Sequence, residues 1–121
     1  EIIVKKKSEN SSNDKIASLV DILHKEFPDV SFILFGSRVK GRAGKYSDWD
    51  IGVFSKDGLK HEVYRRIVRR KDDLTENFPF SVDIVNLNRA SEYFLREASK
   101  GWTFLTGRVS DWIELKRKIS S

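Results

Sequence analysis

Three aspartates and one glycine–serine pair carry the chemistry that this sequence can do. Gly36-Ser37 ends an apolar run, ten residues separate it from Asp48-Trp49-Asp50, and Asp83 lies within the later stretch Phe80-Ser81-Val82-Asp83-Ile84-Val85. Residues two apart on an extended strand point to the same face, so Asp48 and Asp50 are expected side by side, roughly 6–7 Å apart. Two like charges at that range repel by about 2–3 kcal/mol at an effective dielectric near 20. Structure gains nothing from such a pair. A divalent cation removes the conflict, and hard oxygen ligands suit Mg²⁺. Asp83, flanked by Val82 and Ile84, reads as a buried carboxylate, which is costly unless paired or metal-bound; taken alone it could instead be a solvated residue on an edge strand. If its strand lies beside that of Asp48 and Asp50, three carboxylates converge. Such a set can hold two metal ions that activate an attacking hydroxyl and stabilise a leaving pyrophosphate. Asp83 would then hold the metal nearest the nucleophile and could help to take its proton.

The glycine–serine pair has a complementary use. Without a Cβ at Gly36, a phosphate can approach the backbone closely, and a tight turn exposes N–H groups that bind anions. Ser37 adds a hydroxyl donor, and Arg38, Lys40 and Arg42 follow to neutralise charge. One loop would hold phosphates while the next strand holds their metal, the division of labour that phosphoryl and nucleotidyl transfer require. Taken alone, each piece has a plainer reading. Gly-Ser is commonly a turn with the serine capping a helix, and Asp-x-Asp is common in solvated loops. Arg38 could equally pair with a surface carboxylate. It is the combination, at this spacing and between strands, that points to a site.

The elements that must position these residues follow from periodicity. Residues 1–13 are mostly polar and read as a flexible tail. Asn13 or Asp14 can cap a first helix, on which Ile16, Leu19, Val20, Leu23 and Phe27 share a face until Pro28-Asp29 ends it. Val30 to Phe35 and Trp49 to Phe54 read as strands, with Lys56-Asp57-Gly58 a turn. Leu59, Val63, Ile67 and Leu74 mark a helix running to about Asn77. Phe80 to Val85 is a third strand. Asn88 can cap a helix from Arg89 to Lys100, closed by Gly101. Trp102 to Leu105 suits an edge strand and Asp111 to Ile119 a last helix. This order implies a single α/β or α+β domain over residues 14–121, a mixed central sheet flanked by helices.

Composition excludes several classes. The 121 residues contain no cysteine, so disulfides and thiolate zinc sites are out. The longest apolar runs are too short for a membrane span, and the start has its charges in the wrong order for a signal peptide. A cytoplasmic protein is expected. The net charge of +5 permits attraction to nucleic acid, ATP or an acidic protein without choosing among them. Arg65, Arg66, Arg69 and Arg70 form a basic stripe at helical spacing, either a solvated helix face or a docking surface for RNA or an acidic partner. Trp102 and Trp112 read as core or partner-interface residues, and His24 and His61 are isolated.

Phe35-Gly36-Ser37-Arg38-Val39-Lys40-Gly41 followed by Ser47-Asp48-Trp49-Asp50-Ile51 resembles the signature of the DNA polymerase β-like nucleotidyltransferases. It is most similar to the minimal nucleotidyltransferase (MNT) branch, in which Gly-Ser-x-Ala-x-Gly precedes Ser-Asp-x-Asp. Val39 in place of the alanine is a mild departure. Phe80 to Val85 resembles the family's third-carboxylate strand and Phe94 to Gly101 its C-terminal helix and turn, so the likeness covers residues 14–106. The resemblance implies a palm-like fold, two Mg²⁺ ions on Asp48, Asp50 and Asp83, and ATP or another NTP held at Gly36, Ser37, Arg38 and Ser47. It also implies a HEPN-domain partner, toward which such proteins act as antitoxins, in some cases by transferring AMP to a tyrosine of the toxin. Neutralisation by contact alone, with nucleotide as a stabiliser, is a different reading of the same family. Nucleotide addition to RNA is a third, weakened by the lack of an RNA-binding domain. No residue reading the base is evident, and the oligomeric state stays open.

Overall fold

Ile16, Leu19, Val20 and Leu23 recur every three or four positions and all four are buried, so the first helix is held by one apolar stripe. The computed structural model describes residues 11–36 and 48–120. Its elements are α1 (Ser11–Glu26), β1 (Ser31–Phe35), β2 (Trp49–Phe54), α2 (His61–Leu74), β3 (Val82–Asn86), α3 (Glu92–Ala98), β4 (Thr103–Thr106) and α4 (Val109–Arg117). Helix α1 begins at Ser11, so Asn13 and Asp14 lie inside it rather than capping it. The rest of the expected tail, residues 1–10, lies outside the described residues.

The strands form one mixed sheet in the order β3-β2-β1-β4. Strand β1 pairs antiparallel with both β2 and β4, while β2 and β3 run parallel, joined across one face by α2. Side chains alternate between the two faces. On one, Phe32, Trp49, Ile51, Val53, Val82 and Ile84 pack under α1 and α2. On the other, Ile33, Phe35, Phe54 and Leu87 gather with Leu95 of α3 and Leu115 of α4. This is the expected α+β architecture, with β4 at an edge. Among the described residues no helix is long and apolar enough to cross a membrane.

Two local expectations change. Helix α3 is shorter than Arg89–Lys100 and is capped by Ser91, whose hydroxyl accepts from the Phe94 N–H at 3.0 Å. Asn88 instead closes the far end of the sheet, its amide exchanging hydrogen bonds of 2.9 and 2.8 Å with the Ser55 backbone. Nor does Gly101 end the helix in a left-handed conformation: the glycines with positive φ among the described residues are Gly36, Gly58 and Gly107. Gly58 closes the expected turn, its N–H donating to Ser55 O at 3.0 Å. Trp112 stacks with Trp102 and Phe104 at ring separations of 5.0 and 5.4 Å.

Candidate active site

Strand register brings the acidic residues together. Asp50 lies opposite Phe35 across the β1–β2 pair and directly beside Asp83 across the parallel β2–β3 pair, where neighbouring strands run about 4.8 Å apart. Asp48 precedes β2 by one residue. The Trp49 N–H donates to Ser81 O at 2.9 Å, which ties the start of β2 to the start of β3. Asp48 and Asp50, two apart in extended chain, fall on the face that also bears Asp83.

Gly36 completes this corner from the end of β1. Its φ is +100°, a region that L side chains rarely adopt. A Cβ there would run into the Asp50 carboxylate. The turn backbone therefore lies against a metal-ligand candidate, and only glycine permits both the conformation and the approach.

Among the described residues the electrostatics are those of an acidic corner. Partial burial pushes the Asp50 carboxyl above the ordinary carboxylate range, and the charges of Asp83 and then Asp48 push it further. Among the described residues no lysine, arginine or histidine forms an ion pair with any of the three. Among the described residues no three His, Cys, Asp or Glu side chains, these aspartates included, are gathered closely enough to hold a metal ion as they stand. Adjacent, mutually repelling oxygen donors still fit a hard divalent cation, which would relieve the repulsion that raises Asp50.

One expectation about Asp83 is corrected. Its side chain is exposed, not buried. Val82 and Ile84 report the opposite face of the strand, under α1 and α2. On the Asp83 face, α3 and α4 gather around Ile33, Phe54 and Leu87 and leave this corner open.

The structure thus brings together Gly36, Asp48, Asp50 and Asp83. Ser37, Arg38 and Ser47, with Lys40 and Arg42, lie outside the described residues. The arginine stripe lies on α2, against the other face: Arg70 pairs with Glu26 at 2.9 Å, Arg66 sits over the Phe27 ring at 5.5 Å, and Arg65 and Arg69 are exposed. Sequence reading missed a small cavity beside Gly36, of about 210 Å³, lined by Phe35, Phe94, Glu97, Ala98 and Gly101. Its signal was the aromatic and small residues on one side of α3, readable only once α3 was known to face β1.

Known proteins resemble this arrangement. The family described as polymerase beta, nucleotidyltransferase matches residues 17–109. The chain is 35% identical over 83 residues to the probable protein adenylyltransferase MntA of Haemophilus influenzae, covering 68% of this chain and 70% of that one. It superposes with a TM-score of 0.66 on a crystal structure of a toxin–antitoxin with AMP-PNP, at 24% identity, covering 86% of this chain and 84% of that one. A complex of a tri-AMPylated Shewanella oneidensis HEPN toxin with its MNT antitoxin gives 0.63 at 22% identity, covering 89% and 83%. Identities this low show the fold alone.

Proposed function

The chain belongs to the minimal nucleotidyltransferase branch of the polymerase beta nucleotidyltransferase family, and from that premise we propose that it transfers AMP from ATP to a tyrosine hydroxyl of a HEPN-type toxin, acting as the antitoxin. The observation that carries this reading is the position of Asp50, beside Asp83 in register and pressed against the turn at Gly36. In the transfer, the acceptor oxygen bonds to the α-phosphorus, the bridging oxygen between the α- and β-phosphates leaves with pyrophosphate, and the hydroxyl proton passes to a base. Asp83, exposed beside Asp50, would take that proton. Asp48, Asp50 and Asp83 would hold Mg²⁺, two ions when full. Bound there, the metal neutralises triphosphate charge and sharpens the nucleophile. The turn begun by Gly36 holds the triphosphate through backbone N–H groups, with Ser37, Arg38 and Ser47 as its further contacts. The related MntA is named a protein adenylyltransferase, and a fold neighbour is the antitoxin bound to an AMPylated HEPN toxin. Both support protein as the acceptor.

The test uses ATP labelled at the α-phosphate, Mg²⁺ and a HEPN-domain toxin, taken from the neighbouring gene where one is found there. Label should appear on the toxin, and the Asp48→Asn variant should lose at least a hundredfold of the rate. Label should vanish when only the γ-phosphate carries it. An Asp48→Asn/Asp50→Asn double variant that still neutralises the toxin fully would overturn the catalytic reading in favour of contact alone.

A further inference from the structure

The cavity beside Gly36 is left unused by the phosphate and metal roles proposed above. Among the described residues its lining is two phenylalanine rings, small residues and the Glu97 carboxylate, itself paired with Lys100, and it offers phosphate no free donor set. Phe35 and Phe94 stand edge to face, 5.7 Å between centroids with an 86° interplanar angle. Ala98 and Gly101 leave the remaining wall low. At about 210 Å³ it is smaller than the ~300–1,000 Å³ of sites for whole drug-sized ligands, and suits one flat ring system.

We propose that this slot seats the base of the donor nucleotide, a proposal that rests on the nucleotidyl-transfer reading above. Continuity with the carboxylate corner carries it: Gly36 walls the slot and also abuts Asp50. Geometry then selects the occupant. The acceptor oxygen must approach the α-phosphorus opposite the leaving pyrophosphate, hence from the side away from the Gly36 turn. The nucleoside is a side substituent of that phosphorus and can fold back over the turn, whereas the acceptor cannot. A ring entering the slot meets one phenylalanine face and the other's edge, arrangements that aromatic pairs favour. Glu97, whose two oxygens lie 3.2 and 3.1 Å from Lys100 Nζ, closes one side of the slot as an ion pair.

Calorimetric titration of the full chain tests this with two magnesium complexes, ATP and inorganic tripolyphosphate, the second lacking base and sugar. Wild type should bind MgATP more tightly. Phe94→Ala should weaken MgATP binding about tenfold and leave tripolyphosphate unchanged. Ala98→Phe, which fills the slot, should do the same, and Phe94→Tyr should keep wild-type affinity. The assignment is overturned if wild type binds the two ligands equally, if Phe94→Ala leaves ATP untouched, or if both ligands weaken together. It is also overturned if Phe94→Ala raises only the KM for the acceptor, which would place the acceptor's ring there. A wild-type chain that binds neither ligand sinks the nucleotidyl-transfer reading itself, and the slot's assignment with it. That result is distinct from all the others.

Discussion

Where β1 stops and β2 and β3 begin, three aspartates share a corner with no paired cation among the described residues. At the opposite end of the same sheet, where β1 begins and β2 stops, one aspartate is surrounded. Asp111, fully buried in the first turn of α4, accepts from the Ser31 hydroxyl at 2.7 Å and the Lys56 N–H at 2.9 Å. It also takes Arg108 Nε and an Arg108 terminal nitrogen, at 3.2 and 3.1 Å. Arg108 reaches on to Asp57, Ser55 and the Asp29 carbonyl. Its N–H donates to Ser31 Oγ at 2.8 Å, an approach opened by Gly107, whose φ is +138° and where a Cβ would strike Ser31. The two ends hold the same functional group in opposite states. A carboxylate whose oxygens are filled by fixed donors serves the fold, because its burial is compensated. Carboxylates crowded together without donors cost the fold something and leave their lone pairs to a ligand.

Neutralising Asp50 should produce the largest effect and sharpen that contrast. In Asp50→Asn, AMP transfer should fall by at least about a thousandfold, the ~4 kcal/mol that loss of a metal ligand removes from the transition state. At neutral pH the same variant should melt a few degrees higher, because Asp50 is held above its ordinary carboxylate range by burial, Asp83 and Asp48. Mg²⁺ should raise the melting temperature of wild type and not of the variant. Calorimetry with and without the metal reads both. A variant that melts lower than wild type without Mg²⁺ would break the claim that this corner is unfavourable to the fold.

Asp111→Ala should do the reverse. It leaves the buried Ser31 hydroxyl and the part-buried Lys56 N–H without their acceptor, and such unsatisfied groups cost about 1–3 kcal/mol. Urea unfolding should show that loss. Transfer activity per folded molecule should stay near wild type, because the network lies a full strand length from the carboxylate corner. Loss of activity in excess of loss of folded protein would mean that the two ends are coupled.

The two ends also differ in how far the sequence disclosed them. Asp48, Asp50 and Gly36 were legible because their signal is local: alternation fixes a shared face, and a glycine at a strand end marks a turn. Trp49 to Phe54 was legible as a strand for the same reason, its apolar run being bounded by polar residues. Asp83 was read onto the strand beside that of Asp50, and its exposure matches the edge-strand alternative rather than the buried reading. Its neighbours in sequence describe the face under α1 and α2, and nothing local says how far α3 and α4 cover the other. The Asp111 network was invisible because its bonds span long separations, Ser31 to Asp111 crossing eighty positions. Asn88 shows the same limit. Both it and Ser91 are good cap residues, and the choice fell to Ser91 because Asn88 is needed by Ser55 across the sheet.

Acid titration gives the smallest effect and the cleanest opposition. Asp57, exposed at the rim of the Arg108 network, has its carboxyl held below the usual range by the Arg108 guanidinium and then by Lys56. A lowered carboxyl stabilises the fold above its ordinary value, about 3.9, and that stabilisation is lost as pH falls through the still lower folded value. Asp57→Asn should therefore melt slightly below wild type at neutral pH, by a margin that survives to pH 4 and closes only beneath it. High salt should shrink that margin, since the pair is exposed. Asp50 has the opposite sign. Its raised carboxyl makes the folded chain bind protons more readily than the unfolded chain, so its cost is full above the folded value and gone below the ordinary one. Asp50→Asn should then melt above wild type at neutral pH, and the two should begin to converge above the ordinary carboxylate value and meet just below it. Melting temperatures of the three proteins from pH 7 to pH 3 should place the variants on opposite sides of wild type, with the Asp50 difference vanishing first. Curves on the same side, or an Asp57 difference that vanishes first, would show that the two ends do not hold their carboxylates in opposite states.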